Sequence, residues 1–291
     1  MYFIEPIPVI NANVSSNILA ADYAVYQPLT VYNAGDKVTL DDKNYECVIN
    51  GTVGVSPGTD NIKWLDLGAT ERFSIFDNTN NTFASNNGLL TYDIVYPNLY
   101  SYIAFLGLKA NTATITVTDP SVVYSKVIDL TIEGDFAGHS YYFDSVSQAG
   151  QLILTDLPID TGVTLSFTLD NGAQDAELST FIMGAKQDIG SLQYGVQVGI
   201  KDYSRRVTDD FGNVSITKRG FIDTVNYPVK LSSLDLNRVK QRLASVRAKP
   251  VLCVGTPKQM ETVVLGYIKK FIFSLKSSLD STCNITVEGL V

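Results

Sequence analysis

The sequence predicts an all-β protein: several antiparallel β-sandwiches, jelly-roll-like, with a small aromatic β module near the N-terminus and one amphipathic helix near the C-terminus. Three observations carry this. Apolar residues alternate with period two in most stretches, turn-forming clusters interrupt them at short intervals, and one segment alone has helical spacing. With 291 residues, 45% of them hydrophobic, the chain is long enough for two or three compact units and too apolar to be mainly disordered.

Residues 1–19 read as an N-terminal arm, followed by a small aromatic unit over 20–68, a polar, Asn-rich β region over 70–183 and a basic β region over 184–291. Residues 77–82 and 85–88, rich in Asn, read as one long polar loop. Ile115 and Val117 share a face of 114–118, as do Leu165, Phe167 and Leu169 in 164–169. Near the C-terminus Tyr267, Lys269, Phe271, Phe273 and Leu275 fall on one face, and Ile285 and Val287 alternate before Gly289. Asp119-Pro120, Glu133-Gly134-Asp135, Leu157-Pro158, Asp170-Asn171-Gly172 and Phe211-Gly212-Asn213 supply turns between these runs.

The helix is expected at about 233–247. Ser232 or Ser233 can cap it, Leu236, Val239, Leu243 and Val246 recur at its spacing, and Pro250 stops it. Arg238, Arg242 and Arg247 stand around that apolar stripe as candidate assembly contacts for an acidic neighbour, the alternative being a solvated face.

Charge is divided along the chain. Residues 1–199 carry 7 Lys and Arg against 22 Asp and Glu, net −15, whereas residues 200–291 carry 15 against 8, net +7. Opposite potentials steer and orient docking, so the basic part is expected to meet an acidic surface within the protomer or on another copy. Its cations are interleaved with strand-like apolar residues and form no Arg/Lys run, which argues against nucleic acid.

The other function classes fare poorly. No apolar run approaches the ~18–20 residues of a membrane-spanning helix, and Pro6 and Pro8 interrupt the place of a signal-peptide core, so synthesis in the cytoplasm without secretion is expected. Cys47, Cys253 and Cys283 are odd in number and lack metal-ligand spacing, which reads as three buried thiols. His139 is the sole histidine and reads as a loop residue rather than a general base. There is no nucleophile elbow, phosphate loop or HExxH, so no catalytic residue and no metal site are assigned.

The most informative stretch runs from Tyr26 through Tyr32-Asn33-Ala34-Gly35-Asp36-Lys37-Val38 and Tyr45 to Ser56-Pro57-Gly58 and Trp64. It resembles the small chitin-binding type of carbohydrate-binding module, with Tyr26 in place of the usual first Trp. The resemblance implies a turn at Gly35-Asp36, a strand bearing Val38, Tyr45 on the pairing strand and Trp64 closing the sheet. Flat rings suit the C–H face of a pyranose, so Tyr26, Tyr32, Tyr45 and Trp64 become candidate glycan contacts; building the unit's own core is the competing role. The segment from Gly68 through Arg72-Phe73-Ser74-Ile75-Phe76-Asp77 is similar to the opening of a galactose-binding-type jelly roll, which would let Asp77 and its loop hold a structural calcium ion.

The opening Met1-Tyr2-Phe3-Ile4-Glu5-Pro6-Ile7-Pro8-Val9, the sugar-module-like segment running into 72–77, the stretch 242–252 and the closing Ile285-Thr286-Val287-Glu288-Gly289-Leu290-Val291 resemble landmarks of a tailed-bacteriophage virion protein family. That resemblance implies a non-enzymatic structural component of the distal tail or baseplate. Its partners would be other tail proteins and copies of itself, its place the virion, and host-surface polysaccharide its contact outside. A dedicated receptor- or glycan-binding protein is the second reading, and an enzyme degrading cell-wall polysaccharide the third.

Overall fold

A computed structural model describes the chain apart from residues 78, 80–81, 97–101, 120, 133–146, 159–161, 209–210, 258, 278 and 291. His139 and the turn at Glu133-Gly134-Asp135 therefore lie outside the described residues. Among the described residues the fold is all-β, built from sheets that are antiparallel except for the parallel pair Ala24–Val25 and Lys37–Leu40, with one short α-helix near the C-terminus. The chain divides into two compact units, one of Pro8–Tyr100 and Ala104–Phe181, the other of Met1–Ile7, Ser101–Ile103 and Ile182–Val291.

The first unit combines the aromatic module with a seven-stranded sheet. In that sheet Val163–Gly184 lies between Thr112–Asp119 and Ala84–Tyr96, and period-two alternation sets inward residues in rows across the three strands. Val117, Leu165 and Ile94 form one row, Ile115, Phe167 and Tyr92 the next, and Ala113, Leu169 and Leu90 a third; all are buried. Phe167 anchors the core, stacked on Tyr92 at 5.2 Å and on Phe181 at 5.2 Å, with Phe105 edge-on at 5.0 Å.

Two expectations are corrected here. Residues 85–88 are strand rather than loop: Ser85, Asn86 and Asn87 pair with Glu177, Ala176 and Asp175, and their polar side chains are accommodated because these positions stay partly or fully open to solvent. Asp170-Asn171-Gly172 does not reverse the chain. It forms an irregularity inside the long strand, with Gly172 at φ +67° and Asp170 accepting from the Gly172 N–H at 2.8 Å.

The second unit is an eight-stranded sheet. Tyr2–Ile4 pairs on one side with Lys186–Asp188 and on the other with Val251–Thr256, so the first residues of the expected arm are an interior strand. Residues 8–19 run with the first unit, where Val14–Ser16 pairs with Ala84–Tyr96. Gln259–Leu275, Asp280–Gly289 and Phe221–Ser232 continue the sheet antiparallel.

The helix forms as a 3-10 turn, Ser233–Asp235, leading into the α-helix Leu236–Ser245, with the Ser232 hydroxyl accepting from the Leu234 N–H. Val239, Leu243 and Val246 enter a core with Val229, Cys253 and Ile285. The expected single face through 267–275 is broken. Lys269 is an extra residue between the pairs Ile268↔Val287 and Lys270↔Thr286, so the alternation switches: Ile268, Phe271 and Phe273 pack against the core while Tyr267 and Leu275 are exposed.

Candidate functional site

The aromatic module is a four-stranded sheet in the order Ala24–Val25, Lys37–Leu40, Lys43–Cys47 and Trp64–Ala69. Its entry turn is set by Gly35 at φ +93°, and the Asp36 carboxylate accepts from the Asn33 N–H at 2.6 Å. Val38 pairs with Tyr45, and Cys47 pairs with Trp64.

The four rings chosen as glycan contacts lie together, but inward. Tyr26 stacks on Tyr32 at 5.6 Å, and Trp64 meets both edge-on, at 5.9 and 5.3 Å. Trp64 is 1% exposed and the three tyrosines 8%, and with Val38 and Cys47 they form the module's core. The Trp64 indole N–H donates to the Val55 carbonyl at 2.9 Å, and the Tyr32 hydroxyl accepts from the Gln27 N–H at 2.8 Å. Gly58 brings its backbone against the Tyr45 hydroxyl, where a Cβ would stand 3.0 Å away. A small unit must make its core from its largest apolar residues, and here that leaves no ring face for a pyranose. The burial of these four residues supports the core-building role over the glycan role.

What the module does expose is a cleft of about 590 Å³, lined by Asp42, Lys43, Asp66, Phe73, Phe76 and Asp77 among others. The strand Lys43–Cys47 and the strand Trp64–Ala69 bring Lys43 and Asp66 to one side, and the 3-10 helix Glu71–Phe76 brings Phe73 and Phe76 to the other. Asp22 ties the two walls, its carboxylate accepting from the Asn44 side chain at 2.6 Å and from the Glu71 N–H at 3.0 Å. Asp77 accepts from the Thr79 N–H and hydroxyl and from the Thr82 hydroxyl, so its oxygens are engaged by protein donors. Among the described residues no group of three or more His, Cys, Asp or Glu side chains is placed to hold a metal ion.

Lys43 Nζ lies 2.8 Å from Asp66 Oδ2. That hydrogen bond lowers the Asp66 carboxyl below its ordinary range and raises the Lys43 ammonium. Because the folded Asp66 is the stronger acid, its contribution to stability is present above the ordinary aspartate pKa and lost as the pH falls through the depressed one. Lys43→Met is expected to return the Asp66 titration, followed by carboxyl NMR, toward the ordinary aspartate value; an unmoved titration would assign the shift elsewhere.

The three arginines differ in placement. Arg238 is paired with Asp235 at 2.8 Å, Arg242 donates to the Asp188 carbonyl at 3.3 Å, and Arg247 is exposed. The helix thus holds two of the three against its own unit. Sequence reasoning selected Asp77 but not Asp42, Lys43, Asp66, Phe73 or Phe76 as cleft residues. A cross-strand Lys–Asp pair over 23 positions leaves no mark in local periodicity.

No protein-family model matches the chain, and no curated protein matches it. Among solved structures it is similar to the F5/8 type C domain of a protein from Bacteroides fragilis, at 12% identity, over 40% of this chain and 82% of that chain, with a TM-score of 0.28. Likeness at that level carries no argument.

Proposed function

We propose that this protein is a non-enzymatic structural component of a tailed-phage virion, built into the distal tail or baseplate in several copies alongside other tail proteins. The observation that supports the reading best is the charge difference between its two β-built units: one holds 6 Lys and Arg against 20 Asp and Glu, net −14, the other 16 against 10, net +6. Surfaces of opposite sign orient neighbouring molecules as they pack. The aromatic module adds exposed apolar side chains, Leu29, Val48, Ile49, Val53, Ile62 and Leu65, of the kind buried at protein interfaces.

Mass spectrometry of purified infectious particles from the phage that encodes the chain is expected to find it in several copies per particle. Its absence from finished particles, or turnover of cell-wall polysaccharide by the purified protein, would end the proposal. A dedicated glycan-binding protein is the second reading, favoured by the cleft, where Phe76, Asp42, Asp66 and Asp77 line one concave surface. Retention on immobilised host-surface polysaccharide by a chain absent from particles would put that reading first.

A further inference from the structure

The strand Gln197–Asp202 pairs with the start of Phe221–Ser232, from Gln197↔Asn226 to Asp202↔Phe221. The two limbs then continue through Arg205–Thr208 paired with Val214–Thr217, joined by the Tyr203 N–H to the Gly220 carbonyl at 3.2 Å and the Arg219 N–H to the Ser204 hydroxyl at 3.0 Å. The result is a two-stranded ribbon. Every described residue of 197–221 except Ser204 is exposed, so neither face is buried.

A hairpin with both faces in water is marginal alone, yet this one is rich in apolar residues. Val198, Ile200, Val207, Val214, Ile216 and Phe221 are each at least 45% exposed. Cations accompany them: the distal limbs, 203–219, hold Arg205, Arg206, Lys218 and Arg219 against Asp209 and Asp210. Cations on the strands discourage pairing with arbitrary edges. The apolar groups favour burial at an interface, and the cations favour a partner surface that is acidic. The chain itself supplies that surface in the unit of net charge −14.

We propose that the ribbon of residues 197–208 and 211–221 is an assembly arm that docks on the acidic unit, Pro8–Tyr100 and Ala104–Phe181, of a second copy of this chain. This deepens the structural reading above by naming the surface that joins the copies. Ribbon and acidic unit are different surfaces, so the contact is head-to-tail, and copies add around a ring or along a filament instead of closing as a two-fold dimer. Raising the salt from about 50 mM to about 500 mM shortens the screening length and loosens it.

Ile216→Cys supplies the test. The three native thiols are buried, so a benzophenone maleimide labels the new one. Photolysis of an equal mixture of 14N- and 15N-grown full-length chains at low salt is expected to link residue 216 of one isotope to peptides of 8–100 or 104–181 of the other. Links confined to a single isotope, links to 182–291, or no links at all would overturn the arm. In parallel, the combined variant Arg205→Glu, Arg206→Glu, Lys218→Glu and Arg219→Glu alters only exposed side chains. It is expected to sediment as a 31.8 kDa monomer where the native chain forms larger species; an unchanged distribution would overturn the arm as well. A chain present in virions but lacking inter-copy links at residue 216 defeats the arm alone, whereas a chain absent from virions defeats the structural reading alone.

Discussion

Trp64→Ala is expected to unfold the aromatic module and to cost about 3–5 kcal/mol, the range for removing a large ring from a packed core. Trp64 is 1% exposed, touches both Tyr26 and Tyr32, and holds the Val55 carbonyl through its indole N–H. The module's core has only five other buried members, Tyr26, Tyr32, Val38, Tyr45 and Cys47, so the ring is a large share of it. Hydrogen exchange read by mass spectrometry should show residues 20–68 losing protection while the sheet of the second unit keeps its own. A variant with native protection over 20–68 and lost retention on glycan would instead make Trp64 a ligand-facing ring and reverse its assignment to the core.

The second large effect is expected from Gly266→Ala. Gly266 sits where Gln259–Leu275 is flanked by Val251 and Gly289, and a Cβ there would fall on the Glu288 carbonyl, with Gly289 Cα close behind. Backbone cannot move aside as a side-chain tip can. Glycine in a sheet interior marks such a close approach of another strand, and separating the strands here would pull Val264, Ile285 and Val287 out of register with the core around them. A loss of about 3 kcal/mol, the upper end of ordinary overpacking, is expected in chemical denaturation. Stability within about 0.5 kcal/mol of the native chain would mean that the sheet relaxes freely at this point.

Where one face of a segment is buried, the sequence makes it readable. Leu165, Phe167 and Leu169 are 1% exposed or less because period two has a core to obey, and the helix was visible because Val239, Leu243 and Val246 needed the same core. The register through 267–275 was hidden, since the bulge at Lys269 inserts one residue that no residue type announces. The Asn-rich stretch 85–88 misled because polar residues on an open stretch of strand resemble a loop. For the candidate site, spacing located the module's strands but not the direction of its rings. Aromatic side chains suit a sugar platform and a small core equally well, and only the burial of Tyr26, Tyr32, Tyr45 and Trp64 separates the two. The cleft beside them depends on contacts between distant positions, such as Asp22 with Glu71, which local patterns do not encode.

The position of Tyr2–Ile4 inside the second unit's sheet has a consequence for biosynthesis. One of the two neighbours of these residues, Val251–Thr256, is translated about 250 residues after them. At ~5–20 residues per second the nascent strand waits roughly 12–50 s for that partner. During that interval Tyr2, Phe3 and Ile4, buried in the finished sheet, are apolar and unpaired on that side. The unit can therefore close only after Val251–Thr256 has been made, and termination before that point leaves a sticky strand for chaperones to shield.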